Sequence, residues 1–478
     1  MIFIVRKSSV FIGPLIFIIL KFLPIPVGMS EEAYSILAST IWIAIWWVFE
    51  SVPISITALL PIVLFPLSGA TNLSDTAAAY GHKYIFLYMG GFFLAKAIEK
   101  WNLHKRIALQ IINFIGSNSK FIILGFMIST ALISMWISNT ATSVLMLTIG
   151  LSIIYQLNKN SKISEHQKSN FGKALMLSIA YSASIGGMAT LIGTPPNLLF
   201  AGFVKESFNI EISFWQWALF GIPISIPLLF IAWFYITHIA FKIDYNEINE
   251  SKDEIKKQLI QLGSIKTEEK RVLIIFVLTA LAWLTRSFIL EKINPNIDDS
   301  IIAIIAAISL FIVSSKDSQK PLISWDEAVK IPWGIILLFG GGIALAKGFE
   351  SSGLALWLGG QMNFLEGFSL FIMIFLVVSF VNFMTELTSN IATIAMLLPI
   401  LAPIGLSVDI NPFIIMLAAT IASSCAFMLP VATPPNAVVF GSGLLKISDM
   451  IKTGIWMNII SILFISIILY FLSPFIII

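Results

Sequence analysis

Two short motifs occur twice each in this chain, and both are built from residues that offer oxygen atoms or backbone N–H groups. The first is a Ser-Asn pair, found as Ser-Asn-Thr at 138–140 and as Ser-Asn-Ile at 389–391. The second is Thr-Pro-Pro-Asn, at 194–197 and again at 433–436. All four lie within long apolar runs, where a polar side chain needs a partner or a function. The motifs therefore mark two candidate sites.

The two motifs predict opposite kinds of binding group. Adjacent prolines lack N–H groups and clash with the preceding turn, so they break a helix, here at 193–197 and 432–436, and free backbone carbonyls. In a bilayer such carbonyls must line a cavity or bind something, and with Ser, Thr and Asn oxygens they suit a small hard cation such as Na+. A helix that begins at each Ser-Asn pair offers N–H groups and a positive dipole end to an anion. Two such half-sites facing each other would suit a molecule with two anionic ends.

The chain that carries these motifs has the composition of a membrane protein. Of its 478 residues, 58% are hydrophobic and 12% are charged, whereas a soluble domain is usually about 45–50% apolar and about 25% charged. This composition excludes a soluble enzyme, a disordered protein and a nucleic-acid partner, and the continuous apolar runs exclude a transmembrane β-barrel. Cys425 is the only cysteine, which excludes an intramolecular disulfide and a Cys-rich metal site. We therefore expect an all-α polytopic protein in the lipid bilayer.

The distribution of positive charge predicts how the chain crosses the membrane. Lys and Arg flank the apolar segment 121–157 on both sides, while residues 351–411 contain neither. Because positive residues favour cytoplasmic loops, the segments 121–157 and 368–406 should each enter and leave on one side. The loops then predict about 11 transmembrane helices and two re-entrant hairpins, with the N-terminus cytoplasmic and the C-terminus outside. Arms of about 17 residues are near the lower limit of a span, so two ordinary spans per segment stay an alternative.

The two halves of the chain match each other. The Ser-Asn pairs lie 251 residues apart, as do Gly-Gly at 90–91 and 341–342, and the Thr-Pro-Pro-Asn motifs lie 239 apart. Five predicted crossings in each half make the second copy inverted, an arrangement typical of secondary transporters. We divide the chain into an N-terminal transmembrane helix (1–32), a first repeat (33–242), a charged cytoplasmic connector (243–271) and a second, inverted repeat (272–478).

Other polar residues are interpreted more conservatively, because single polar groups in membrane helices are more often packing groups than ligands. Glu386 lies three residues before Ser389, where a charge is costly. We interpret it as a structural carboxylate, with binding of a proton or cation as the alternative. The histidines form no cluster, and the spans contain no His-Glu-x-x-His, aspartate pair or Ser/His pair. The sequence therefore predicts no catalytic residue, no enzyme and no organic cofactor.

Taken together, the Ser-Asn-Thr-Ala-Thr run at 138–142, Ser-Asn at 389–390 and the two Thr-Pro-Pro-Asn motifs resemble the divalent anion/sodium symporter family. The likeness covers nearly the whole chain, including the early segment from Trp47 to Pro61. It implies a homodimer in the bacterial plasma (inner) membrane, with a fixed scaffold domain and a transport domain that moves like an elevator. It also implies import of dicarboxylates of the succinate, malate and fumarate type, with Na+ as the coupling ion.

The resemblance also assigns residues to the sites. The first Na+ site would use Ser134, Ser138, Asn139 and Gly193. The second Na+ site would use Thr385, Thr388, Asn390 and Ala432. The substrate would contact Ser138, Asn139, Thr140, Thr194, Ser389, Asn390, Thr433 and Pro434. Two positions depart from the pattern: Ile391 replaces a threonine, which removes one hydroxyl donor, and Thr148 stands where the second repeat has Pro399.

Three other functions stay open at this point. A Na+-independent dicarboxylate exchanger would need no cation-binding oxygens, so Ser134 and Thr385 favour symport. A citrate or sulfate transporter of the same fold is the second, although sulfate transporters that resemble this family often carry soluble regulatory insertions that this sequence lacks. A channel is the third, but it would be expected to show a continuous polar stripe instead of two localised half-sites.

Overall fold

Helices account for the regular structure throughout the part of the chain that is described. The computed structural model describes residues 2–116, 118–158, 163–243, 249–316, 319–361 and 367–476. Within these ranges the one β-type pairing is an isolated bridge between Ser314 and Pro321. The predicted all-α fold is therefore confirmed.

The first half of the chain contains the helices that carry the first copy of each motif. In chain order they are α1 (Ile2–Phe22), α2 (Glu31–Val48), α3 (Ile54–Thr57), α4 (Leu60–Leu67), α5 (Leu73–Ala78), α6 (Lys83–Lys100), α7 (Leu103–Ile115), α8 (Ser119–Ser134), α9 (Asn139–Asn158), α10 (Glu165–Gly187), α11 (Pro195–Phe208) and α12 (Phe214–Phe234). A 3₁₀ turn covers Ala79–Gly81, and a π-helical segment, Tyr235–Ala240, extends α12.

The second half begins with the connector, of which residues 244–248 lie outside the described ranges. Its helices are α13 (Asn249–Leu262), α14 (Thr267–Thr285), α15 (Glu291–Ile293), α16 (Asp299–Ile312), α17 (Trp325–Ala328), α18 (Trp333–Ser351), α19 (Leu354–Gly360), α20 (Leu370–Thr385), α21 (Asn390–Ser407), α22 (Pro412–Ser423), α23 (Pro434–Phe440) and α24 (Ile447–Leu472). A π-helical segment, Arg286–Leu290, extends α14, and a 3₁₀ turn, Ser473–Phe475, follows α24.

Many of these helices have the length and apolarity that a bilayer requires. Among the described residues, six helical segments are long and apolar enough to cross a membrane: Asn139–Asn158, Phe214–Ala240, Thr267–Ile293, Trp333–Ser351, Asn390–Ser407 and Ile447–Phe475. Shorter apolar helices of 10–17 residues accompany them, α8 and α20 included. The chain is thus a multi-pass membrane protein. The number of crossings, the domain boundaries and the orientation of the termini stay predictions.

Each predicted hairpin consists of two helices joined by a tight turn. Residues 135–138 connect α8 to α9, and residues 386–389 connect α20 to α21. The first arm of each pair starts at a polar N-cap, where Asn118 accepts from the Phe121 N–H at 3.1 Å and Ser369 from the Ile372 N–H at 3.4 Å. The two turns occupy equivalent positions in the repeats. Each Ser-Asn pair lies at a hairpin tip, because its serine ends the turn and its asparagine begins the next helix. Whether the hairpins are re-entrant stays a prediction.

Close packing of α6 against α16 depends on a glycine. A Cβ at Gly90 of α6 would lie 2.6 Å from the carbonyl oxygen of Ala303 on α16, whereas a Cβ at Gly91 would meet nothing nearer than 3.5 Å. Backbone atoms cannot move aside as a flexible side chain can. The α6–α16 contact therefore requires glycine at position 90 but not at position 91.

We expect Gly90→Ala to destabilise the protein and Gly91→Ala to leave it nearly unchanged. Overpacking of this kind usually costs about 1–3 kcal/mol, which thermal denaturation of the purified protein in detergent would show as a lower Tm. Since the two glycines are neighbours on one helix, their alanine variants have the same helix propensity. Equal Tm values for both variants would contradict the packing argument.

Candidate functional site

The first hairpin tip brings together a set of oxygen atoms with the broken helix α10–α11. The Ser134 Oγ lies 2.6 Å from the Asn139 Oδ1 and 2.7 Å from the carbonyl oxygen of Ala183. The same side-chain amide atom of Asn139 lies 3.3 Å from the carbonyl oxygens of Ala183 and Gly193. We call these four residues, Ser134, Asn139, Ala183 and Gly193, the first oxygen cluster.

The amide of Asn139 can face this cluster in two ways. With Nδ2 toward the cluster, it donates to the Ser134 hydroxyl and to both carbonyls. Hydrogen bonding alone therefore favours Nδ2 toward the cluster, whereas a cation there would require Oδ1.

The second hairpin tip repeats this arrangement. The Thr385 Oγ1 lies 2.6 Å from the Asn390 Oδ1 and 3.1 Å from the carbonyl oxygen of Ser423, near the end of α22. Thr385 therefore takes the place of Ser134, and Asn390 that of Asn139. We call Thr385, Asn390 and Ser423 the second oxygen cluster. Hydroxyl, amide and carbonyl oxygens are hard ligands, which suit Na+ better than a soft transition metal.

Each broken helix unwinds before its Thr-Pro-Pro-Asn motif, at 188–194 and at 424–433. The sequence interpretation placed the breaks at 193–197 and 432–436. In the structure, the two prolines of each motif open α11 and α23 at positions N1 and N2, where a missing N–H costs nothing. The prolines therefore start the second half-helix, and the free carbonyls come from the preceding segment.

The asparagine that ends each motif holds the unwound segment in place. The Asn197 Nδ2 donates to the carbonyl oxygens of Gly187 and Thr190, at 3.1 and 2.7 Å. The Asn436 Nδ2 donates in the same way to those of Ala426 and Leu429, at 3.1 and 3.0 Å. Both asparagines are fully buried. Each therefore satisfies two of the carbonyls that unwinding frees, and fixes the path of the segment.

The other predicted site residues differ in their hydrogen bonds and in how deeply they are buried. Ser138 caps α9 by accepting from the Ala141 N–H at 3.3 Å, and Thr433 accepts from the Asn436 N–H at 3.2 Å. Thr388 bonds elsewhere, to Thr393 at 2.6 Å. Of the remaining residues, Gly193, Thr194 and Ala432 are buried, Ser389 is half-buried, and Thr140 and Pro434 are exposed.

The two tips differ in how they are covered. At the first tip, the Trp136 ring packs against Phe214 and Trp283, with ring centroids 5.6 and 6.3 Å away, and those two rings stack on each other at 5.0 Å. At the equivalent place in the second tip, Leu387 is 75% exposed. The adjoining unwound segment follows the same trend, because Val431 is 83% exposed. Aromatic rings therefore cover the turn before the first Ser-Asn pair, whereas the equivalent turn before the second pair is exposed.

Glu386 caps the second unwound segment. Its carboxylate accepts from the backbone N–H groups of Phe427, Met428 and Leu429, and it is only 3% exposed. These contacts are those of the structural carboxylate that the sequence analysis favoured.

Several residues at the site were not found from the sequence. Ala183 and Ser423 contribute carbonyl oxygens only, so their side chains carry no signal. Asn197 and Asn436 did carry one, since they complete the duplicated motif. Their role needed the structure because it depends on where the unwound segment begins.

The chain also matches known proteins along nearly its full length. Residues 6–478 match the family model described as the sodium:sulfate symporter transmembrane region. The chain is 45% identical over 469 residues to the sodium-dependent dicarboxylate transporter SdcS of Staphylococcus saprophyticus subsp. saprophyticus, which covers 97% of this chain and 90% of that protein. It is 44% identical, with the same coverage, to SdcS of Staphylococcus aureus strain bovine RF122.

Solved structures show the same fold at low sequence identity. The Neisseria gonorrhoeae MtrF structure aligns with a TM-score of 0.59 at 12% identity, covering 94% of this chain and 97% of that one. The Alcanivorax borkumensis YdaH transporter aligns with a TM-score of 0.59 at 11% identity, covering 93% and 99%. At such identities the likeness concerns the fold alone. Given the near-complete family match and the close relatives, the chain belongs to the sodium:sulfate symporter family, the divalent anion/sodium symporters, and is a membrane transporter, not an enzyme.

Proposed function

We propose that this protein imports dicarboxylates of the succinate, malate and fumarate type by Na+ symport. The observation that carries the proposal is the duplicated oxygen cluster, in which a hydroxyl, an asparagine amide and a backbone carbonyl meet at each hairpin tip. The relatives named sodium-dependent dicarboxylate transporters support the same function.

Each cluster binds one Na+ in this proposal. At the first, the hydroxyl of Ser134, the Oδ1 of Asn139 and the carbonyls of Ala183 and Gly193 face the ion. At the second, the ion contacts Thr385, Asn390 and Ser423, with the Ala432 carbonyl from the far end of the unwound segment. Ser138 and Thr388 lie beside these clusters and complete the predicted sets.

The dicarboxylate binds between the two tips. The first turns of α9 and α21 start at Asn139 and Asn390, so their unpaired N–H groups and helix dipoles meet one carboxylate each. Ser138, Thr140, Thr194, Ser389, Thr433 and Pro434 line the remaining surface. Since Na+ and substrate share both asparagines, a bound Na+ orients the amide that the carboxylate meets.

The transport cycle uses the whole hairpin and broken-helix unit. The protein is a homodimer in the plasma membrane in this proposal. In each protomer the unit slides against a fixed scaffold domain, as an elevator does. Access alternates because the sliding unit carries both half-sites from one side of the membrane to the other.

Coupling to Na+ overcomes the electrical cost of importing a dianion. Moving two negative charges into an inside-negative cell costs about 4.6 kcal/mol per 100 mV, from about 2.3 kcal/mol for each charge. Two Na+ cancel that charge, and a third would let the potential drive uptake. Each tenfold Na+ gradient adds about 1.4 kcal/mol per ion. The two clusters supply binding sites for two of these ions.

The substrate class is tested by competition against labelled succinate in proteoliposomes with an inward Na+ gradient. We expect malate and fumarate to inhibit uptake, and propionate, which has one carboxylate, to inhibit much less, because only a dianion occupies both half-sites. Citrate and sulfate are the discriminating competitors. No uptake of labelled succinate, with Na+-dependent uptake of labelled sulfate or citrate instead, would replace the proposed substrate with that anion.

A further inference from the structure

A buried carboxylate follows Thr385 of the second oxygen cluster directly in the chain. Glu386 is 3% exposed and opens the turn that joins α20 to α21. Its Oε1 accepts from the N–H groups of Phe427 and Met428, at 2.7 and 2.8 Å, and from the Asn458 Nδ2 at 2.8 Å. Its Oε2 accepts from the Leu429 N–H at 3.0 Å. Three consecutive backbone N–H groups thus form an anion-binding nest around this one side chain.

The hydrogen-bond pattern identifies the charged form of this carboxylate. All four of its partners are N–H donors, which a carboxylate accepts with both oxygens. Hydrogen bonds from four N–H donors therefore favour the charged form of Glu386.

The negative charge has no positive side chain to balance it. None of the ion pairs formed within the described part of the chain includes Glu386. Neutral N–H groups reduce the cost of burying the carboxylate, but they leave its full charge in place. A buried charge without a counter-ion is costly in a membrane protein, which points to a positive partner that arrives from outside.

The second oxygen cluster is where such a partner would bind. Thr385, whose hydroxyl joins Asn390 and Ser423 at 2.6 and 3.1 Å, directly precedes Glu386. The nest of Glu386 also belongs to the unwound segment that ends at Ala432. A cation in the second cluster is therefore held by the same turn and the same segment as the carboxylate.

The first oxygen cluster has no such charge. The residue equivalent to Glu386 in the first repeat is Met135, 251 positions earlier. Its backbone carbonyl accepts from the Thr190 hydroxyl at 2.5 Å, so a neutral contact joins the turn to the unwound segment there. The two clusters share their oxygen ligands and differ in electrostatics.

We propose that Glu386 is the counter-charge of the second Na+ site and increases the affinity of that site for Na+. The inference rests on the proposed function, because it takes the second cluster to bind Na+. Glu386 is a positioning residue here: it does not touch the ion, but it holds the unwound segment and lowers the electrostatic potential at the cluster.

Two variants of similar size are compared. Glu386→Gln removes the charge, keeps the side chain's size and leaves one oxygen to accept hydrogen bonds. Asn458→Leu removes one hydrogen bond of the carboxylate and keeps the charge. Both are measured for Na+ half-saturation of succinate uptake, for the succinate KM at saturating Na+, and for the rise in Tm that Na+ produces in the purified protein.

We expect Glu386→Gln to raise the half-saturating Na+ concentration by about tenfold, the size of a nearby charge effect in a partly screened interior, and to reduce the Na+-induced rise in Tm. The succinate KM at saturating Na+ should change much less. Asn458→Leu should lower the basal Tm and leave the Na+ half-saturation close to that of the wild type. Where Glu386→Gln does not fold, Glu386→Asp tests the proposal, since a retained charge should keep the Na+ half-saturation near the wild-type value.

Other outcomes would overturn the proposal. If folded Glu386→Gln and Asn458→Leu both keep the wild-type Na+ half-saturation and Na+-induced rise in Tm, Glu386 is a structural contact only. A tenfold rise in the half-saturating Na+ concentration of Glu386→Asp would also contradict a role for the charge. If the wild type itself shows no dependence on Na+, the proposed function fails together with this inference.

Discussion

Asn139→Ala and Asn390→Ala are each expected to lower the initial rate of Na+-dependent succinate uptake at least about 100-fold, the upper range for loss of a group that supports a metal site. Each asparagine belongs to an oxygen cluster, 2.6 Å from Ser134 or Thr385, and opens the helix that would meet a substrate carboxylate. Alanine thus removes a cation ligand and a positioning group at once. Uptake is measured in proteoliposomes that contain equal amounts of folded protein.

Asn296→Ala is the matched control, since Asn296 is exposed in a loop outside both hairpins. We expect it to transport like the wild type. Near-normal uptake in both Asn139→Ala and Asn390→Ala would contradict the assignment of the two clusters.

Gly187→Ala is expected to abolish uptake without removing any polar group. A Cβ at Gly187 would lie 2.7 Å from the Asn139 Oδ1 and 3.1 Å from the Gly193 carbonyl oxygen. The added methyl group would therefore enter the first oxygen cluster and block the space of the ion. Both the uptake of succinate and the Na+-induced rise in Tm should be lost.

Gly172→Ala provides the comparison on the same helix, α10. A Cβ there would meet only two side-chain methyl groups, at 3.8 and 3.9 Å, which is ordinary van der Waals contact. We expect wild-type uptake for this variant. Wild-type Na+ dependence in folded Gly187→Ala would show that the first cluster does not bind the coupling ion.

The motifs and the family resemblance together pointed to the residues of this site. The duplicated Ser-Asn and Thr-Pro-Pro-Asn motifs indicated hairpin tips and broken helices, and the resemblance added Ser134 and Thr385. In the structure Ser134 and Asn139 meet as Thr385 and Asn390 do. Membrane helices follow from composition, because apolar runs without charge have few alternatives in a bilayer.

Backbone geometry accounts for what the sequence did not predict. Ala183 acts through a carbonyl whose direction depends on the unwound segment, and no residue type encodes that direction. Each helix breaks earlier in the chain than predicted. Proline lacks an N–H group, so it is excluded from a helix interior but accepted at the first positions of a helix. Trp136 is covered while Leu387 is exposed because residues far away in the sequence pack on the first tip.

Na+ dependence of uptake tests the proposed symport most directly. Labelled succinate uptake into proteoliposomes is measured with an inward Na+ gradient and with K+ or choline in its place. We expect succinate to accumulate only when Na+ is present, because both oxygen clusters must hold a cation before the substrate is bound. Equal uptake without Na+, seen only in vesicles preloaded with dicarboxylate, would contradict symport and show that the protein is an exchanger whose oxygen clusters bind no coupling ion.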